Sequence, residues 1–141
     1  MAKAVTKLES ICFVDDDADN EKKFMRWASV RGVREIHFVE SAFDAADIPA
    51  QVYVMDLSSL TPMRFGQHAY GPVYALYERR PSATFIIGSF LPMTSLQEIL
   101  NELESELGVS IEKYNPFHLE YSLDDALARL NLRAPNYSDR R

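Results

Sequence analysis

The stretch that decides the fold is Ile11-Cys12-Phe13-Val14-Asp15-Asp16-Asp17, four apolar residues running straight into three aspartates. A short apolar run with no polar alternation reads as a strand covered on both faces. Helical spacing follows at once. From Asp19 to Arg31, Phe24, Trp27, Ala28 and Arg31 fall on one face, with Asp17 or Asp19 as cap and Gly32 as stop. Strand, acidic turn and amphipathic helix therefore come in that order.

The same unit recurs along the chain. Glu35-Ile36-His37-Phe38-Val39 alternates as a strand, and Ser41 to Ala46 gives a short Ala-rich helix before Pro49. Val52-Tyr53-Val54-Met55 is a third strand, and it too ends in an aspartate, Asp56. A long irregular stretch from Ser58 to Gly71 carries Pro62 and Gly66. Pro72 can open the next helix, with Val73, Leu76, Tyr77 and Arg80 at helical spacing. Thr84-Phe85-Ile86-Ile87 is the fourth strand, closed by Gly88-Ser89.

Thr94 or Ser95 caps an amphipathic helix whose inner face is Leu96, Ile99, Leu100, Leu103 and Leu107, ended by Gly108. Val109-Ser110-Ile111 is read as the fifth strand, and Leu119, Leu123, Leu127 and Leu130 mark the last helix. Strands alternating with helices give βαβ crossovers, an α/β fold with a five-stranded parallel sheet. The expected arrangement is (βα)5 in the flavodoxin-like order 2-1-3-4-5, with ligands bound beyond the carboxyl ends of the strands. Residues 10–132 form one domain on this reading, with 1–9 and 133–141 as terminal tails.

Polar groups gather where such a sheet binds its ligands. Asp15 and Asp16 end the first strand, Asp56 the third and Ser89 the fourth, and the fifth leads into Lys113. Any one of these residues alone is as well explained as a helix cap or a solvated surface group. All five falling at strand ends is what marks a site. Two carboxylates about 4 Å apart repel by about 4 kcal/mol at an effective dielectric near 20. A raised pKa, the Lys113 ammonium or a hard divalent cation must offset that cost.

On these residues the chain resembles the receiver domains of response regulators. Phe13-Val14-Asp15-Asp16-Asp17-Ala18-Asp19-Asn20-Glu21 is similar to their first strand and acidic loop, and Val54-Met55-Asp56-Leu57 to their phosphoacceptor strand. Ile86-Ile87-Gly88-Ser89 resembles their fourth strand, and Lys113 with Pro116-Phe117 their Lys-Pro-Phe signature. The resemblance runs from Ser10 to Leu130 with motif order kept.

It implies that Asp56 accepts a phosphoryl group. It further implies that Asp15, Asp16, Asp56 and the Ser58 carbonyl hold Mg²⁺, while Ser89 and Lys113 bind the phosphoryl oxygens. Partners implied are a histidine kinase or phosphotransfer protein and a downstream protein target. Any enzymatic activity would be limited to self-phosphorylation and autodephosphorylation on aspartate.

The chain also departs from that pattern. Leu60 stands where the family places proline, with Pro62 two residues later, and Phe90 follows the switch serine where a small residue is usual. Tyr114-Asn115 separates Lys113 from Pro116, and Ser110 replaces a frequent aromatic. These departures favour a second reading, a pseudo-receiver that binds partners without phosphorylation. A small hydrolase acting on a phosphorylated metabolite is a third, but no glycine-rich phosphate loop supports it.

Composition narrows the classes further. Fifteen basic against 21 acidic residues give a net charge of −6, which argues against a nucleic-acid backbone as partner. Cys12 is the only cysteine, so neither an internal disulfide nor a cysteine zinc site can form, and its apolar neighbours make it a core residue. No signal-like or membrane-length apolar stretch is present, so a cytoplasmic location with no membrane contact is expected. The oligomeric state stays open, a homodimer included. His37, His68 and His118 lack metal-ligand spacing, and Met63-Arg64-Phe65 is read as loop packing, a partner contact or a lid.

Overall fold

The structure is a computed structural model that describes residues 5–15, 17–56, 76–88, 93–107, 111–115 and 118–135. The strands are β1 (Thr6–Lys7), β2 (Ser10–Val14), β3 (Glu35–Val39), β4 (Val52–Asp56), β5 (Thr84–Gly88), β6 (Ile111–Tyr114) and β7 (Leu132–Arg133). The described helices are α1 (Ala18–Val30), α2 (Ala42–Ala45), α3 (76–79), α4 (Met93–Leu107) and α5 (Leu119–Arg129). Five strands form one parallel sheet in the order β3-β2-β4-β5-β6. That is the order expected from the sequence: the second strand of this sheet, then the first, third, fourth and fifth.

Alternation along each strand divides the core into two layers. Cys12, Val14, Tyr53, Met55, Phe85 and Ile87 point to one face, where they pack with Ala45, Leu76, Leu100 and Leu103. Ile11, Phe13, Val52, Val54, Ile86 and Tyr114 point to the other, against Phe24, Trp27, Leu123 and Leu127. Both faces are apolar because helices cover both, which is why the strands read as continuous apolar runs. Cys12 is fully buried as expected, and burial pushes its thiol up to about 12.

Helix α1 shows how local sequence sets the geometry. The Asp17 side chain accepts the Asp19 N–H at 2.9 Å, and Asp19 and Glu21 place negative charge at the positive end of the helix dipole. The helix stops in a two-bond cap. Gly32, at φ 76°, donates to Ser29 O, and Val33 donates to Ala28 O. Phe24 stacks on Phe13 at 4.5 Å between centroids, and Trp27 meets Phe13 edge-on at 6.3 Å. Each such pair is worth about 0.5–1.5 kcal/mol beyond its area. Arg31 then ties α1 to α5, giving two bonds to the Asp124 carboxylate (2.7 and 2.6 Å) and lying over the Trp27 ring.

Two expectations shift. The fifth strand, expected at 109–111, is described at Ile111–Tyr114, so Lys113 lies inside it rather than after it. The apolar run that suggested the strand ends at Ile111, while the pairing goes on through a charged and an aromatic residue. The segments 1–9 and 133–141, expected as tails, include paired and buried residues. Thr6 and Lys7 pair in parallel with Leu132 and Arg133, and Leu8 and Ala134 are buried beside them. Two-residue strands carry no readable period, and Asn131, at φ 56°, makes the turn that brings β7 back.

Candidate functional site

One rung of the sheet carries the site. Val14 pairs with Met55, Asp56 with Gly88, and Gly88 with Tyr114. Asp15 follows Val14 and extends the ladder, its N–H donating to Val39 O at 3.0 Å. Asp15, Asp56, Gly88 and Tyr114 thus stand side by side at the carboxyl ends of β2, β4, β5 and β6. By alternation they share the face of Phe13, Val54 and Ile86.

Asp15 is 2% exposed and Asp56 7%, and they are the buried acidic side chains among the described residues. Asp15 is held by local sequence. Its Oδ1 accepts the Asp17 N–H at 2.9 Å and its Oδ2 accepts Asn20 Nδ2 at 3.0 Å. Both bonds favour the ionised carboxylate and fix its orientation at the start of α1. Asp56 is the last residue of a strand buried at every position. Two hard oxygen donors on one rung suit a hard divalent cation that keeps part of its water shell. Among the described residues, no group of three or more His, Cys, Asp or Glu gathers as a metal site. Asp16, expected as the third donor, lies outside the described residues, as do Ser58, Ser89, Phe90, Pro116, Phe117 and the stretch from Ser58 to Gly71.

Tyr114 completes the rung. It is buried, and its ring lies across Gly88: a methyl group there would collide with Cε1 and Cζ of the ring. Phe24 backs the ring edge-on at 6.2 Å. Burial pushes the phenol well above its ordinary pKa, and the charges of Asp56 and Asp15 push in the same direction. The phenol therefore keeps its proton beside two carboxylates.

Lys113 is brought elsewhere. It pairs with Ile87, so it belongs to the opposite face, and its ammonium donates to Gln97 Oε1 of α4 at 2.5 Å. Among the described residues no ion pair joins Lys113 to Asp15 or Asp56. The structure thus brings Asp15 and Asp56 together and turns Lys113 away. Beyond β6, Asn115 is fastened by Ser122, whose Oγ accepts its N–H at 2.8 Å.

Sequence reasoning missed Asn20, Gly88 and Tyr114. Asn20 was visible in principle as a polar residue in the first helical turn after an acidic strand end. Gly88 and Tyr114 become partners only once the register is known.

No family model and no curated protein matches the chain. Solved structures do. A putative pilus assembly-related protein of Burkholderia pseudomallei shares 15% identity at a TM-score of 0.59, over 93% of this chain and 92% of its own. The signal receiver domain of an HD domain-containing protein from Pseudomonas fluorescens shares 15% at 0.60, over 88% and 90%. The BeF3-activated receiver domain of DrrB, a response regulator of Thermotoga maritima, shares 21% at 0.54, over 89% and 99%. At such identities the likeness concerns the backbone alone, and it agrees with the sheet order and the two-layer core. This chain has the fold of a response-regulator receiver domain.

Proposed function

We propose that the chain is a phosphorylatable receiver in two-component-type signalling, with Asp56 as phosphoacceptor. The observation that carries this reading is the rung that buries Asp15 and Asp56 side by side at the carboxyl edge of a receiver-type sheet. An Asp56 oxygen attacks phosphorus in line. The new P–O bond forms as the bond to the leaving group breaks, and that group, an imidazole or a carboxylate, departs with the electron pair. Asp56 and Asp15, with Asp16 and the Ser58 carbonyl by resemblance, would hold Mg²⁺. When bound, that ion neutralises charge on the phosphoryl oxygens.

Asn20 and the Asp17 N–H hold the Asp15 carboxylate in one orientation at the start of α1. A histidine kinase or phosphotransfer protein is the donor on this reading. Phosphorylation shifts an equilibrium that a downstream protein reads. No described helix is long and apolar enough to cross a membrane.

The test is mass spectrometry after incubation with acetyl phosphate and Mg²⁺. One phosphate is expected on the wild-type protein and none on Asp56→Ala; an adduct that persists in the variant refutes the assignment.

One observation favours a second reading. The Lys113 ammonium is engaged by Gln97 on the far face, so β6 as it stands presents no cation to Asp56. A pseudo-receiver would bind its partner equally as wild type and Asp56→Asn, and Mg²⁺ would leave its melting temperature unchanged.

A further inference from the structure

Gly88 separates Asp56 from Tyr114 on their shared rung and contributes no side chain there. The Tyr114 ring occupies that bare position, close enough that any Cβ on residue 88 would collide with it. The ring is buried between Gly88 and Phe24 and therefore has little freedom to turn away. Lys113, one residue earlier, is committed by strand alternation to the other face. From β6, the polar group delivered toward the acidic rung is thus a phenol rather than an ammonium.

We propose that Tyr114 is a ligand-contacting residue of the acidic site: across Gly88 its phenol faces Asp56 and donates its hydroxyl to the phosphoryl oxygens that Asp56 carries. This rests on Asp56 being the phosphoacceptor. The consequence is specific. A phenol donates one hydrogen bond but brings no positive charge, so it stabilises an oxyanion less than an ammonium does. From β6 the site then receives a hydrogen bond without positive charge, and Gly88 is the residue that admits the ring.

The experiment compares aspartyl-phosphate lifetimes of wild type, Tyr114→Phe and Tyr121→Phe after acetyl phosphate treatment in Mg²⁺. Tyr121 is exposed on α5 and serves as the control. Tyr114→Phe keeps the ring and its packing, and its adduct should decay at least threefold faster than wild type, with Tyr121→Phe unchanged. Equal lifetimes for Tyr114→Phe and wild type overturn the proposal.

A thermal double-mutant cycle between Tyr114→Phe and Asp56→Asn, run without ligand, separates this inference from the reading it rests on. If the wild type accepts no phosphate yet the two shifts in Tm fail to add, the phosphoacceptor assignment falls and the Tyr114–Asp56 pairing stands. If the shifts add, the pairing falls as well.

Discussion

The two ends of the sheet are built on opposite principles. At the amino end, Gln51 works as a staple. Its Oε1 accepts the N–H groups of Glu9 (2.6 Å) and Ser10 (3.1 Å), its Nε2 donates to Lys7 O (3.0 Å), and its own N–H donates to Ser10 Oγ (2.9 Å). Four neutral hydrogen bonds there join the start of β2 to the start of β4, next to the β1–β7 ladder. At the carboxyl end the same two strands deliver Asp15 and Asp56, two buried carboxylates on adjacent positions of one rung. One end is fastened by neutral hydrogen bonds; the other brings two buried acidic side chains to one rung. The amino end thus supplies stability, and the carboxyl end spends part of it holding a site ready for cations and phosphoryl groups.

That contrast is open to direct attack. Gln51→Ala should have the largest effect, a loss of about 2–3 kcal/mol, because it deletes three side-chain hydrogen bonds worth about 1 kcal/mol each. Urea denaturation would measure it, and a loss below 0.5 kcal/mol, estimated on the same scale, would remove the staple from the account. Asp56→Asn should act in the opposite direction. Removing one of two adjacent buried charges relieves their repulsion, so stability in the absence of Mg²⁺ should rise by about 1 kcal/mol. A fall in the urea midpoint would mean that Asp56 is net stabilised where it sits.

The last expected effect is an alkaline one. Tyr114 titrates at about 10 when unfolded and well above that when folded, so above pH 10 the unfolded chain releases a proton that the folded chain keeps. Its contribution is therefore fully present below pH 10 and declines as pH rises further. Cys12 adds a decline of the same sign between pH 9.0 and about 12. Thermal melts at pH 8 and pH 11 should show the drop, and Tyr114→Phe should lessen it; an undiminished drop would assign it to Cys12 and other groups.

Much of this was legible in the sequence, for reasons that can be named. The sheet order could be read because β2, β4 and β5 are apolar runs with sharp ends, and each interval between strands bears helical spacing or turn residues. Asp15 and Asp56 could be read because each interrupts an apolar run at its last position. The limits of β6 could not. Its described residues mix Ile111, Glu112, Lys113 and Tyr114, and only pairing with β5 shows that Lys113 and Tyr114 face opposite ways. Nor could the role of Gly88. In sequence it is a strand-ending glycine, whereas its function as the seat of an aromatic ring depends on a residue 26 positions away. Side-chain parity at a strand end is set by register, and one residue of register changes what faces the site.

The β1–β7 ladder has a mechanical consequence. The two strands run parallel, held by Thr6 N–H to Asn131 O and Leu8 N–H to Arg133 O, both at 2.8 Å. A pull applied through residues 5 and 135 would drag them in opposite directions along their length, loading both bonds together in shear instead of unzipping them in turn. Tension entering at either end would meet this clasp before it reached β2, and the acidic rung lies at the far end of that strand.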